Sequence, residues 1–144
     1  EMTNEIDKII KNHSKVVIDE NTLNKIIEEN KKIIEEIRNN KHIRNLELTQ
    51  HQAIYNEIME KNINIDIIYL YDTNGNLLSS SETLEDIDVT NREWFVGGLK
   101  EDIYISDFYI SYDTKNVSLT ISSQVKDLDN NLIGVLGVDI QIES

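Results

Sequence analysis

From Glu1 to Tyr71 the chain contains neither proline nor glycine, so nothing in almost half its length forces the backbone out of a regular helix. Ile6, Ile9, Ile10, Val16, Val17, Leu23, Ile26, Ile27, Ile33, Ile34 and Ile37 recur at spacings of three, four and seven, with Lys, Glu, Asp and Asn between them. That is the period of an amphipathic helix. Asp19-Glu20-Asn21-Thr22 reads either as a break or as a polar turn of one long helix. His13, Glu20 and Asn30 fall at core-type positions. The expectation is therefore a helix that packs partly on its own domain and partly on a partner, not an uninterrupted coiled coil. A second helix is expected over about Thr49 to Lys61, with Ile54, Tyr55, Ile58 and Met59 on its apolar side and Asn39-Asn40-Lys41 and Asn62 as stops.

At Ile65 the period changes. Ile65-Asp66-Ile67-Ile68-Tyr69-Leu70-Tyr71 is a β-rich run, Asp72-Thr73-Asn74-Gly75-Asn76 a turn with glycine available for positive φ, and Leu77-Leu78-Ser79-Ser80 the returning strand. After a polar loop, Asn91 is placed to cap a short helix through Gly97-Gly98-Leu99. Three further strands are expected at about Ile103–Ile110, Val117–Val125 and Leu132–Ile142, the last two joined by the turn Asp127-Leu128-Asp129-Asn130-Asn131. Short hairpin links argue for an antiparallel sheet with a helical layer. The fold class is α+β, with a helical segment over 1–62 and a sheet lobe over 63–144 together forming one domain.

With 144 residues and 39% hydrophobic content, one packed core is affordable. A net charge of −13 disfavours nucleic acid and anionic membrane surfaces as partners. The absence of cysteine excludes a disulfide framework and a thiolate metal site. No apolar run approaches the roughly 20 residues of a membrane span. Glu1 reads as mid-helix, which suggests a fragment of a longer protein.

Asn91-Arg92-Glu93-Trp94-Phe95-Val96 sets a cation beside the only tryptophan. A guanidinium offers a planar fork of donors to a carboxylate, and an indole offers a donor and a large apolar face. Together they suit a clamp for a small anionic or zwitterionic ligand. The alternative, which these residues alone favour, is an exposed first-turn arginine and a core tryptophan.

Asp72-x-Asn74-Gly75 fails as a calcium loop, because glycine stands fourth and Thr83 twelfth. Asp127 to Asn131 likewise reads as a turn. His13, His42 and His51 lack metal-ligand spacing and read as surface or packing residues. Ser79, Ser80, Ser81, Ser122 and Ser123 have no nucleophile-elbow context, and no glycine-rich phosphate loop occurs. No catalytic residues, metal ligands or cofactor are assigned, so an enzyme is the weakest class. Gly134 and Gly137 lie in a strand, where glycine suits the close approach of a helix or a ligand. By alternation Asp139 shares a face with Gly137 and Val135. A carboxylate among apolar neighbours must be paired or wet, the alternative being a strand-end acid facing solvent.

Tyr69-Leu70-Tyr71-Asp72-Thr73-Asn74-Gly75, Arg92-Glu93-Trp94-Phe95, Tyr104-Ile105-Ser106-Asp107-Phe108-Tyr109 and Gly134-Val135-Leu136-Gly137-Val138-Asp139 occur in that order. In these segments the chain from about Ile65 to Ile142 resembles the Cache domain, the extracellular PAS-like sensor module of bacterial chemoreceptors and sensor kinases. Phe108 stands where a proline is common. The resemblance implies a single lobe: a long N-terminal helix and a PAS-like five-stranded antiparallel sheet with flanking helices. It implies a ligand site of Tyr69, Arg92, Trp94, Phe95, Tyr109, Ser111 and Asp139, with arginine and tryptophan on a ligand carboxylate and the late aspartate on its amine. Phe95 replaces a tyrosine and Ser111 an aspartate of the amino-acid-binding pattern, removing a hydroxyl and a carboxylate. The implied protein is a receptor ectodomain on the extracellular side of the cell membrane, binding an amino acid or carboxylate. It would dimerise through the N-terminal helix and connect to flanking spans. Two alternatives are the sensor of a histidine kinase or cyclic-dinucleotide enzyme, and a structural or interaction module that binds no ligand.

Overall fold

The computed structural model of the chain describes residues 20–110 and 117–142. Helix α1 (Glu20–Arg38) is followed by a single turn of helix, α2 (Lys41–Arg44), and by α3 (Leu48–Lys61). The sequence reading places only a stop between the two long helices. The stop is a reversal with its own cap: the Asn40 side chain accepts the His42 N–H at 2.8 Å, the usual service of asparagine at a helix start. Strands β1 (Ile65–Asp72) and β2 (Leu77–Ser80) then form a hairpin. Helix α4 (Glu93–Lys100) precedes β3 (Tyr104–Ile105), β4 (Tyr109–Ile110), β5 (Val117–Lys126) and β6 (Leu132–Ile142).

The sheet is antiparallel, ordered β2-β1-β6-β5-β3, with β4 also paired to β5. Alternation assigns its faces. Ile68, Leu70, Leu119, Ile121, Val125, Leu136, Val138, Ile140 and Ile142 join Leu23, Ile34 and Ile37 of α1 and Tyr55 and Ile58 of α3 in the main core. The other face carries Ile67, Tyr69, Tyr71 and Val135, which pack with Val89 and with Phe95 of α4. The expected helix across the sheet is therefore present from Glu20 onward. Its upstream isoleucines, His13, and whether a break precedes Glu20 lie outside the described residues.

Two segments depart from expectation. The strand expected over Ile103–Ile110 is split. Ile105 pairs with Ile121 and Tyr109 with Ser118, a one-residue offset between the two ladders. In the gap, Ser106 donates its N–H to the Thr120 carbonyl and its Oγ accepts the Thr120 N–H. The side chain replaces a backbone acceptor, which is how a bulge keeps the edge paired while redirecting it. Helix α4 begins one residue later than expected, with Arg92 and not Asn91 at the capping position. The preceding turn is closed by Asp88, whose Oδ1 accepts the Thr90 N–H and hydroxyl. The Arg92 N–H donates to the Val89 carbonyl.

The two aspartate-led turns are built alike. Asp72 Oδ1 accepts the Asn74 and Asn76 N–H groups, and Asp127 Oδ1 accepts those of Asp129 and Asn131. The fourth residue is left-handed in both, Gly75 at φ 88° and Asn130 at φ 68°, as glycine and asparagine tolerate. His51, expected at the surface or in packing, is fully buried. Its Nδ1 meets Ser79 Oγ at 2.7 Å, its Nε2 meets the His42 carbonyl at 3.0 Å, and Tyr55 Oη reaches the same serine. This polar joint ties α2 and α3 to the β2 edge.

Candidate functional site

Opposite the helical core, the sheet surface opens into a cavity of about 480 Å³. Its floor is set by strand register. Thr120 of β5 stands opposite Asp139 of β6, and Tyr69 of β1 opposite Gly137. A Cβ on Gly137 would collide with the Tyr69 ring. The glycine therefore lets that ring lie across β6, and this position carries its hydroxyl to Asp139. The close approach expected at Gly137 is thus made by a tyrosine ring. At Gly134 it is made by the Tyr71 carbonyl of the neighbouring strand.

Asp139 Oδ1 accepts two hydrogen bonds, from the Tyr69 hydroxyl at 2.7 Å and from the Thr120 hydroxyl at 2.8 Å. Tyr109 Oη lies 3.2 Å from Thr120 Oγ1, extending the network. No donor among the described residues reaches Oδ2. Burial raises the Asp139 pKa above the usual 3.8, with the two hydrogen bonds opposing it and Asp66 adding a smaller upward push. Burial likewise raises Tyr69 well above 10.0, reinforced by Asp139. Tyr109 is pushed up to about 12 by burial and then by Asp139. Both tyrosines are thus hydroxyl donors at neutral pH, and the carboxylate is the acceptor.

The start of α4 forms another wall. Arg92 is exposed, lines the cavity, and forms no ion pair among the described residues. Trp94 is half-buried, its ring centroid 4.9 Å from that of Tyr69 and 5.6 Å from that of Tyr71. The helix is held down by the Ser122 hydroxyl, which donates to the Trp94 carbonyl at 2.7 Å. It also relies on Gly98, where a Cβ would meet Val135. Successive helical residues point about 100° apart, so Trp94 meets the cavity while Phe95 turns away. Phe95 is buried among Ile67, Tyr71, Val89 and Val135 and does not line the cavity, a correction to its expected place in the site.

Of the expected residues, Tyr69, Arg92, Trp94, Tyr109 and Asp139 line one cavity. Ser111 lies outside the described residues. The bulge between β3 and β4 adds Ser106, Asp107 and Phe108, and β5 adds Thr120, none of which the sequence reading assigns to the ligand site. Pairing β5 to β6 outward from the Asp127–Asn131 turn alone would put Thr120 opposite Val138; a one-residue register shift between Val125 and Lys126 puts it opposite Asp139 instead. Glu93 also lines the cavity. No group of three or more His, Cys, Asp or Glu residues that could hold a metal ion occurs among the described residues. A smaller polar cleft of about 240 Å³ includes Arg38 and Arg44. Those arginines are already spent, on Asp102 and Ser123 and on the carbonyls of Lys126 and Asp127.

Comparison with known proteins bears on the family and the fold. The model of the family described as methyl-accepting chemotaxis protein-like, first PDC sensor domain, matches residues 20–144. The ligand-binding domain of the Pseudomonas aeruginosa amino acid chemoreceptor PctC, solved with GABA, superposes with a TM-score of 0.62 at 16% identity, over 99% of this chain and 63% of that one. That of the Campylobacter jejuni chemoreceptor Tlp3, solved with 4-methylisoleucine, gives 0.61 at 25% identity, over 97% of this chain and 58% of that one. The chain thus spans about three fifths of these solved domains. A 57-residue stretch is 37% identical to citrate (Re)-synthase of Syntrophus aciditrophicus, amounting to 39% of this chain and 9% of that enzyme. That short share supports no catalytic reading.

Proposed function

The chain belongs to the family described as methyl-accepting chemotaxis protein-like, first PDC sensor domain, and on that premise we propose that it is part of the extracellular region of a bacterial transmembrane chemoreceptor whose cavity takes an amino acid. One observation carries the reading. Among the described residues, a guanidinium with no ion-pair partner and a carboxylate with one oxygen unbonded line the same aromatic-walled cavity, Arg92 and Asp139. A zwitterion supplies what each lacks. Arg92 receives the ligand carboxylate through charge-assisted bonds, Trp94 covers it, and Asp139 receives the ammonium. Tyr69 and Thr120 fix the orientation of Asp139, so its charge is aimed before the ligand arrives.

Signalling in this reading passes through the sheet. Thr120 faces the cavity while its neighbours Leu119 and Ile121 pack in the core shared with α1. A ligand that prefers one arrangement of β5 thereby biases α1, since a ligand shifts an equilibrium only by its differential affinity. The helix would run to a membrane span and pair with its copy in a homodimer. Among the described residues no helix is long and apolar enough to cross a membrane.

A thermal-shift titration with L-norleucine and with hexanoate tests the ligand reading, since the two share a carbon skeleton and differ by the amine. Norleucine is expected to raise the midpoint more than hexanoate. Arg92→Ala is expected to weaken both by at least about tenfold. Binding of both ligands that survives Arg92→Ala would refute the clamp.

A further inference from the structure

We propose that the cavity selects amino acids with a cationic side chain, with Glu93 and Asp107 as the residues that read it. The inference rests on the proposed zwitterion site and adds what the rest of the lining is for. Binding of the ligand's carboxylate and ammonium uses Arg92 and Asp139. Two further carboxylates lie in the lining, Glu93 on the first turn of α4, beside the Tyr104 hydroxyl, and Asp107 in the bulge between β3 and β4. Each is exposed, and neither is in an ion pair among the described residues. Among the described residues, the lining carries three carboxylates, Glu93, Asp107 and Asp139, against one cation, Arg92.

This surplus sorts ligands by charge. An acidic side chain entering beside Glu93 and Asp107 meets like charge. A neutral side chain covers both acids and dehydrates them without offering a bond. A side chain ending in an ammonium or guanidinium restores the balance, while Phe108 and Trp94 give its methylene stem an apolar wall. Rim charges also act at a distance. The chain as a whole carries −13, and such a field raises the arrival rate of cationic ligands in a salt-dependent way.

The experiment is calorimetry with L-lysine and L-norleucine, which differ by the side-chain ammonium, on the parent and on Glu93→Gln/Asp107→Asn, each checked for its fold by circular dichroism. Exposed charge pairs are individually weak, and two acting together give about a tenfold preference for lysine. That ratio is expected in the parent, smaller at high salt, and close to unity in the double variant. Norleucine binding as tightly as lysine in the parent would overturn this inference and leave the zwitterion site standing. A lysine preference that persists undiminished in the double variant would also overturn it. Failure of both ligands to bind would remove both readings.

Discussion

A carboxylate held by two hydroxyl donors among aromatic rings is costly to ionise in the folded protein and well placed to receive an ammonium. Burial raises the Asp139 pKa above 3.8. The folded state therefore holds this proton more tightly than the unfolded chain. The contribution to stability is complete below the unfolded value and is lost as pH rises through the folded one. Asparagine keeps an oxygen for the Tyr69 and Thr120 hydroxyls. Asp139→Asn is thus expected to melt higher than the parent at neutral pH without ligand, the gain shrinking as pH falls toward 3.8. A pH series of thermal melts reads this directly, and an equal midpoint at all pH values would contradict it. His51 has the opposite sign. Burial lowers its pKa below 6.5, so the unfolded chain binds the proton first, and stability is lost as pH falls from 6.5 through the folded value. His51→Gln is expected to flatten that acid limb of the melting curve. Tyr69, Arg92, Trp94, Tyr109 and Asp139 were legible in the sequence because each sits in a recognisable segment. Thr120 and Ser106 were not, because a hydroxyl in a β-rich run carries no mark of its partner.

Among the elements, the legible ones are those whose signal is local. Asp-x-Asn-Gly-Asn and Asp-x-Asp-Asn-Asn each close on their own aspartate, so turns β1–β2 and β5–β6 could be read directly. The single-turn α2 and the split of the expected third strand could not. Four residues are too few to show a period, and the bulge exists only because Ser106 bonds a strand across the sheet. Glycine placement is the tightest constraint on the pocket. Gly137→Ala would drive a methyl into the Tyr69 ring, costing about 1–3 kcal/mol as overpacking and displacing the hydroxyl from Asp139. Denaturant unfolding and calorimetry should show both losses together. A variant of full stability and affinity would mean that the ring is free to move aside.

For the molecule as a whole, the sheet is a partition: Leu119, Ile121, Leu136, Val138 and Ile140 of β5 and β6 face the helical core, and Thr120 and Asp139 on the other face line the cavity. That arrangement follows from alternation in β5 and β6. In the proposed homodimer, copies would associate through the N-terminal stripe. Ile9 and Val16 lie outside the described residues, and replacing both with glutamate is expected to abolish any dimer seen by sedimentation. A dimer that persists would put the contact elsewhere. The central claim is that one cavity holds a zwitterion at both ends, and calorimetry of Asp139→Asn with norleucine and hexanoate tests it most directly. Removing the carboxylate that receives an ammonium typically costs about 2–5 kcal/mol, more than tenfold in affinity. The account predicts that loss for norleucine and little change for hexanoate, which has no ammonium to lose. Norleucine bound by a folded Asp139→Asn as tightly as by the parent would contradict it.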